Sequence, residues 1–491
     1  MIQTDFKFDN SYAKQLDGFY ARVAGENAPA PALVKLNHPL AEELGLKLDK
    51  LSSLEIAQIF SGSVSPKGAA PLAQVYAGHQ FGNYSPQLGD GRALLMGEVI
   101  NRFGHRFDIH LKGSGRTPFS RGGDGKAALG PVLREYILGE AMHALNIPTT
   151  RALAAVTTGE KVMRNDLQAG AVLARVAASH LRIGTFQYFA AQDDIEKIKQ
   201  LADYAIERHY PSLAESENPY LNLLAIVCEQ QATLIAKWML MGFVHGVMNT
   251  DNMTICGETI DYGPCAFMES YDPATVFSSI DRQGRYAYAN QPPIAQWNLA
   301  RFAETLLPLI DTDGDKAVEL AVDKLKTFED CYQAYWLDGM REKLGLTTTE
   351  ADDLALVTEL FEAMNGQDVD FTLLFRHLID AVQGNVVPAQ DLFDNLEKFD
   401  EWHGRWISRL ARESISDKKR AENMKAVNPI YIPRNHKVEE ALLAAEAESN
   451  YEPFERLLAV LARPFEEQED CEDYAVPAPG DFPPYKTFCG T

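Results

Sequence analysis

Cysteine is scarce in this sequence: there are six cysteines among 491 residues, and none is arranged as a Cys-x-x-Cys pair. The spacing therefore gives no indication of a structural zinc site, and so few cysteines do not build a dense disulfide framework. The first 20 residues also lack a basic cluster followed by an apolar run, so we expect no cleaved signal peptide. Together these absences predict a protein of the reducing cytoplasm.

Positive charge is also in short supply. Lys and Arg number 46 against 69 Asp and Glu, which gives a formal net charge of −23. Such a charge disfavours general binding to nucleic acid or to an anionic membrane, so we expect neither as a partner. The most apolar long stretch, residues 221–248, is interrupted by charged and amide side chains. It therefore suits a buried helix better than a membrane span.

The remaining composition is that of a large folded protein. Hydrophobic residues make up 46% of the chain and aromatic residues 10%, enough to bury a sizeable core. Glycine-rich strand patterns come first and amphipathic helices follow, which predicts the α+β class. We divide the chain into an N-terminal wrapping segment at 1–70, a β-rich lobe at 71–186, a helical lobe at 187–330, and a helical extension with an acidic tail at 331–491.

Within the β-rich lobe, short alternating or apolar runs bounded by turn residues predict four strands, at 92–100, 107–112, 150–157 and 170–178. A helix is expected to begin near Pro131, because proline is favoured in the first helical turn, and to end before Pro148. The acidic run at 438–448 predicts a solvated helix face.

A basic island interrupts this acidic chain. Residues 101–134 contain seven Lys or Arg against two Asp, interleaved with glycines. Glycine lets backbone N–H groups approach an anion while Lys and Arg neutralise it, so the pattern favours a polyphosphate ligand. The alternative is a set of glycine turns that join strands and carry ordinary surface charges.

Lys112 and Glu135 are candidates for an ion pair. Alternation in the strand pattern places Asp108, His110 and Lys112 on one face. Glu135 lies on a mostly apolar helical stripe, where a carboxylate requires a cation. A strand lysine followed by a helix glutamate is the order of the pair that orients ATP phosphates in kinases. The alternative is an unremarkable surface lysine and a solvated glutamate.

The segment 245–263 carries the strongest local signal. Asn252 follows a loop, and Asp261 begins an Asp-Tyr-Gly turn; phosphotransferases hold Mg²⁺ with an Asn and an Asp in such places. The kinase base is missing, because the position two residues after His245 is Val247. Asp251 is the nearby carboxylate that could accept a proton from a hydroxyl group. Two Asx turns in a loop would give the same pattern.

Three arginines are further phosphate candidates: Arg92, Arg175 and Arg182. Arg92 closes a glycine turn, and Arg175 interrupts an apolar run where an unpaired charge would be costly. Burial of Arg175 therefore implies a partner, which is either a phosphate or a structural carboxylate.

Four long segments closely resemble the selenoprotein O family, across most of residues 70–270. The matching segments read VYAGHQFGNYSPQLGDGRALLMGEV, DIHLKGSGRTPFSRGGDGKAALGPVLREYILGEAMHALNIPTTRAL, VLARVAASHLRIGTFQ and GFVHGVMNTDNMTICGETIDYGP. The resemblance implies a pseudokinase with a two-lobed protein-kinase-like fold and a helical C-terminal extension. It also implies a protein adenylyltransferase, which binds ATP in a flipped orientation, transfers AMP to Ser, Thr or Tyr hydroxyls of proteins, and releases pyrophosphate.

The resemblance also implies roles for individual residues, with the nucleotide bound by the β-rich lobe and the metal-binding loop in the helical lobe. Asp251 is expected to be the proton acceptor and Glu135 the partner of Lys112, while Asn252 and Asp261 hold Mg²⁺, with Mn²⁺ as a substitute. The residues expected to bind ATP are Gly89, Gly91, Arg92, Lys112, Asp124, Gly125, Arg175, Arg182 and Asp261. UMP transfer from UTP, γ-phosphate transfer and a non-catalytic nucleotide-binding scaffold are the alternatives.

Cys489 is the third residue from the end, where some members of the family carry selenocysteine. A thiol at this position could regulate activity through a disulfide, or it could be an exposed free cysteine without consequence.

Overall fold

The computed structural model describes residues 4, 6–480 and 482–487, and it confirms the α+β class. Cys489 lies outside the described residues. The strands are β1 Tyr20–Arg22, β2 Ala32–Leu36, β3 Leu72–Gln74, β4 Gly78–Gln80, β5 Asn83–Ser85, β6 Ala93–Ile100, β7 Arg106–Lys112, β8 Ala127–Ala128, β9 Arg151–Met163, β10 Leu167–Ala177, β11 Phe243–Val244 and β12 Ala266–Phe267.

The helices lie mostly in the second half of the chain. They are α1 Ser11–Gln15, α2 His38–Glu43, α3 Ser53–Phe60, α4 Leu129–Ala144, α5 Ile183–Ala190, α6 Ile195–His209, α7 Pro219–Met241, α8 Gln291–Ile310, α9 Gly314–Lys343, α10 Asp353–Met364, α11 Phe371–Val382, α12 Val387–Gln390, α13 Glu397–Leu410, α14 Asp417–Val427, α15 Asn435–Glu448 and α16 Glu452–Leu461.

One antiparallel sheet organises the first half of the chain. Its strand order is β1-β3-β6-β7-β10-β9-β2, and β8 pairs with β10. The four predicted strands are confirmed as β6, β7, β9 and β10. However, β9 runs on to Met163, because it continues as a long hairpin with β10, in which Met163 pairs with Leu167. The strands β1 and β2 come from the N-terminal segment and complete the edges of the same sheet.

The two faces of the sheet pack against different helices. Ile109 and Leu111 of β7 join Leu40, Ile56 and other buried residues of α2 and α3 in one apolar cluster. The opposite face of β7 carries Asp108, His110 and Lys112, as the alternation predicts. The central strand β7 therefore delivers polar side chains into the interior on the side where α4 lies.

Helix α4 positions Glu135. It begins at Leu129, two residues before Pro131. Proline is tolerated there, because the first four N–H groups of a helix have no partner within it. Val132, Leu138 and Met142 are buried on the same stripe as Glu135, which is itself 5% exposed. The buried stripe packs α4 against β9 and β10. In this position Glu135 contacts Lys112 of β7 and Arg175 of β10.

The long helix α7 is the one described helix that is long and apolar enough to cross a membrane, and 67% of the relevant window is buried inside the protein. Helices α8 and α9 cover it, as expected for a core helix. At the other end of the described chain, Thr487 forms a parallel bridge with Ser278, so the tail returns to the segment that follows Asp261.

Candidate active site

Asp261 stands at the centre of an ionic cluster in which Glu135, Arg175 and Arg182 are buried, while Asp261 and Lys112 are partly exposed. Its carboxylate accepts hydrogen bonds from Lys112 at 3.0 Å, from Arg182 at 2.9 Å, and from Arg175. Lys112 also donates to Glu135 at 2.6 Å, and Arg175 donates to the other oxygen of Glu135 at 3.0 Å. The ion pair between Lys112 and Glu135 is therefore present, and Arg175 has the carboxylate partners that its burial required.

The cluster keeps Asp261 ionised. Burial alone would raise the pKa of this carboxyl group, but Arg175, Lys112 and Arg182 outweigh burial and hold the pKa well below its usual range. Asp261 also adopts a left-handed backbone conformation with φ of +60°. Apart from glycine, Asp and Asn are the residues that tolerate this conformation best, and such positions are often functional.

Asp251 lies beside this cluster, in the short turn Thr250–Asn252. Arg182 joins the two parts of the site, because it donates to the backbone carbonyl of Asp251 at 2.9 Å as well as to Asp261. Burial raises the pKa of Asp251 to about 6, although Arg182 opposes the shift. Its Oδ1 atom is buried and has no hydrogen-bond partner within the described part of the chain.

A small hairpin that the sequence did not reveal, β4–β5, holds the Asp251 turn. The amide of Gln80 donates to Asp251 Oδ2 at 3.3 Å, and the backbone N–H of His79 donates to Thr250 at 2.7 Å. Gly78 lies so close that a Cβ atom there would be 2.2 Å from Asp251 Oδ1. In the sequence, this hairpin corresponds to the YAGHQFG motif, but nothing in the motif indicates that it contacts the Asp251 turn.

The glycine turn before β6 has a tight backbone. Gly89 has φ of +66°, and a Cβ atom at this position would lie 2.4 Å from a ring carbon of Phe119. A Cβ atom at Gly91 would lie 2.8 Å from the carbonyl oxygen of Phe119. Asp90 points inward and is 1% exposed, whereas Arg92 is half-buried and its guanidinium has no ion pair or hydrogen bond with any described residue.

Asp124 and Gly125 lie in a second glycine turn. Asp124 forms a bidentate ion pair with Arg164, with N–O distances of 2.8 and 3.1 Å. The sequence did not suggest Arg164 as its partner. Gly125 has φ of +69°, and a Cβ atom there would be 2.1 Å from the carbonyl oxygen of Gly115. Across residues 6–480, no hydrogen bond or ion pair links this turn or Arg92 directly to the Asp261 cluster.

The donors expected to hold Mg²⁺ fit a hard cation in their chemistry. Asn252 donates its amide N–H to the carbonyl oxygen of Val247 at 3.0 Å, which leaves its own amide oxygen for a ligand. Asp261 supplies ionised oxygens. No group of three or more His, Cys, Asp or Glu in the described residues is arranged to hold a metal. Mg²⁺ at phosphate sites is commonly bound by one or two protein oxygens together with substrate phosphates.

Comparison with known proteins defines the class. The family model described as protein adenylyltransferase SelO matches residues 3–462. A protein nucleotidyltransferase YdiU of Cereibacter sphaeroides is 60% identical over 490 residues, covering 99% of this chain and 100% of its own length. Proteins of that name from Rhodopseudomonas palustris and Rhizobium etli are each 56% identical, over 99% of this chain and 99% and 97% of their own lengths.

These matches make the chain a nucleotidyltransferase. It belongs to the SelO family, and the resemblance found in the sequence motifs is confirmed.

Proposed function

We propose that this protein transfers AMP from ATP to Ser, Thr or Tyr hydroxyl groups of other proteins, in a two-lobed kinase-like fold that binds ATP in a flipped orientation. The observation that carries the proposal is the convergence of Lys112, Arg175 and Arg182 on Asp261, with Glu135 beside them. Three cations next to a metal-binding carboxylate are suited to a polyphosphate, and the strand-lysine and helix-glutamate pair is the one that kinases use.

The basic side chains bind and orient the triphosphate in this proposal. Lys112, Arg175 and Arg182 neutralise its charge, while the glycines of the two turns, which have no side chain, let it come close to the backbone. Asn252 and Asp261 would hold Mg²⁺, or Mn²⁺ in its place, which when bound supplies positive charge that stabilises the transferred group. The ionic cluster thus provides preorganised charge, the largest contribution expected in such transfers.

Asp251 accepts the proton of the attacking hydroxyl. With a pKa of about 6 it is mostly ionised at neutral pH and can act as a base. The hydroxyl oxygen forms a bond to the α-phosphorus, the bond from the α-phosphorus to the bridging oxygen breaks, and pyrophosphate leaves. The orphaned Oδ1 atom supports this role, because it is an acceptor without a donor.

The test measures which phosphate of ATP becomes covalently attached to protein. The purified full-length protein is incubated with Mg²⁺, protein acceptors and ATP labelled at either the α or the γ phosphate, with α-labelled UTP in parallel and Asp261→Ala as the control. Covalent label from α-ATP but not from γ-ATP, lost in the control, is the expected result. Label from γ-ATP would instead show a phosphotransferase, and label from UTP alone a uridylyltransferase; either result overturns the proposal, as does the absence of any label.

The cytoplasmic location expected from the sequence is part of this proposal, because ATP and reduced thiols are both abundant there. Fractionation of cells that express the tagged protein checks it, and recovery in a membrane or secreted fraction would contradict it.

A further inference from the structure

His110 lies directly behind the ionic cluster. It is on β7, two residues before Lys112 and on the same face, and it is fully buried. Its ring contacts two charged side chains. Nδ1 lies 3.3 Å from Nε of Arg175, and Nε2 lies 3.2 Å from Oδ2 of Asp90.

These contacts select one state of the ring. The Nε–H group of Arg175 can only donate, so Nδ1 of His110 must accept and carries no proton. Nε2 therefore carries the proton and donates to Asp90. Burial lowers the pKa of His110, and although Asp90 acts in the opposite direction the pKa stays below its usual range. The neutral ring therefore accepts a hydrogen bond from Arg175 and donates one to Asp90.

The other end of the bridge is the glycine turn. Asp90 lies between Gly89 and Gly91, and its Oδ2 atom also accepts a hydrogen bond from the backbone N–H of Gln74 at 2.9 Å. Its backbone N–H in turn donates to the carbonyl of Gln74 at 2.9 Å. The side chain of Asp90 thereby fixes the turn from within, and His110 ties that turn to Arg175.

A second histidine offers a matched control. The ring of His180 stacks on that of His110 at 4.2 Å between centroids, and it is just as buried. Its Nδ1 atom contacts Asp108 at 2.9 Å, and Asp108 pairs with Arg208. Within the described part of the chain, His180 therefore forms no hydrogen bond with Arg175 or with the glycine turn.

We propose that His110 is a positioning residue for nucleotidyl transfer, which as the neutral Nε2–H tautomer holds the turn of Gly89, Asp90 and Gly91 in register with Arg175. The inference rests on the proposed function, because it assumes that the turn and Arg175 contact one nucleotide. Loss of the bridge leaves every charge of the site in place. It should therefore affect the alignment of the phosphates more than the affinity for the nucleotide.

Four full-length proteins test this: wild type, His110→Phe, His110→Gln and His180→Phe. For each we would measure the Kd for ATP with Mg²⁺, the kcat and KM for transfer of α-label, and Tm. His110→Phe should lower kcat roughly 10- to 100-fold, the range for hydrogen bonds to charged groups, while Kd changes less than about fivefold. Glutamine has both a donor and an acceptor, so His110→Gln should recover about tenfold of the loss. His180→Phe should lower Tm and leave kcat within about threefold of wild type.

Each contrary result is decisive. A kcat for His110→Phe within threefold of wild type overturns the proposal, as does an equal loss in His180→Phe or the absence of recovery in His110→Gln. If His110→Phe does not fold, His110→Leu provides the second test, because a smaller apolar side chain also removes both hydrogen bonds without changing a charge and should lower kcat in the same range. If wild type neither binds nor transfers the nucleotide, the proposed function fails first; if wild type is active and the variants match it, only the present inference fails.

Discussion

Arg182 and Asp261 are joined at 2.9 Å, and the same guanidinium nitrogen of Arg182 lies 2.9 Å from the backbone carbonyl of Asp251. One side chain thus connects the Asp-Tyr-Gly turn to the turn that carries the proposed base. Arg182 also lies over the ring of Tyr76 at 4.5 Å, which fixes the guanidinium plane. The relative position of the two turns is therefore set by a buried cation and not by loop geometry alone.

Replacement of Asp261 by Asn should abolish transfer. The variant removes the charge on which three cations converge and the principal carboxylate ligand proposed for Mg²⁺, so we expect kcat to fall by at least about 1,000-fold. Transfer of α-label from ATP measures the effect, and Asp330→Asn on the exposed surface of α9 is the matched control. Wild-type turnover in a folded Asp261→Asn protein would contradict the assignment.

Lys112 and Glu135 should behave as one unit. Each single alanine variant leaves the other charge buried with fewer partners, so each should lower kcat/KM for the nucleotide by roughly 10- to 100-fold. The double variant should lose less than the sum of the two, with a coupling free energy of about 1–3 kcal/mol. A double-mutant cycle on kcat/KM measures this coupling, and strict additivity would show that the pair does not act together.

The sequence predicted the members of this cluster better than it predicted their neighbours. Alternation placed Lys112 on the polar face of a strand, and the helical stripe placed Glu135 on a buried face. The structure added the observation that these two side chains are in contact. Periodicity shows which face a residue occupies, but it does not show which distant segment covers that face. The partnership of Gln80 with Asp251 spans 171 residues, and no local pattern could reveal it.

Local sequence patterns also fail to identify the partners of residues around the ionic cluster. His110 shared a face with Lys112 in the sequence pattern, but its role as a bridge depends on Asp90, which comes from a turn before the neighbouring strand. Arg164 was unrecognised as the partner of Asp124 because it sits at the tip of the β9–β10 hairpin, whose length the sequence underestimated. Strand extension by pairing is a tertiary effect that overrides local propensity.

Addition of one methyl group at Gly78 should disable the proposed base. The Cβ atom of Gly78→Ala would lie 2.2 Å from Oδ1 of Asp251, so the carboxylate must move. We expect kcat to fall about tenfold or more while the affinity for the nucleotide changes little. Gly404→Ala is the control, because a Cβ atom at Gly404 meets nothing within 4 Å. Equal activity of both variants would show that the position of Asp251 does not matter for transfer.

A buried lysine far from the active site should make stability depend on pH. Lys343, the last residue of α9, is 3% exposed, and its ammonium lies 4.2 Å from the ring centroid of Phe375. Burial lowers its pKa to about 7. In the unfolded chain the pKa is about 10.4, so between these two values the unfolded state binds more protons and the free energy of unfolding rises with pH.

Replacement by methionine should therefore stabilise the protein most at pH 7 and below, where the folded state must hold a buried cation. We expect a gain of roughly 1–3 kcal/mol there, reduced by the lost cation–π contact and shrinking as the pH approaches 9. Urea unfolding of Lys343→Met and wild type at pH 6, 7, 8 and 9 measures the difference. Lys326→Met, exposed on the same helix, should change neither the stability nor its slope with pH. If the difference between Lys343→Met and wild type were the same at every pH, the buried ammonium would not be the titrating group.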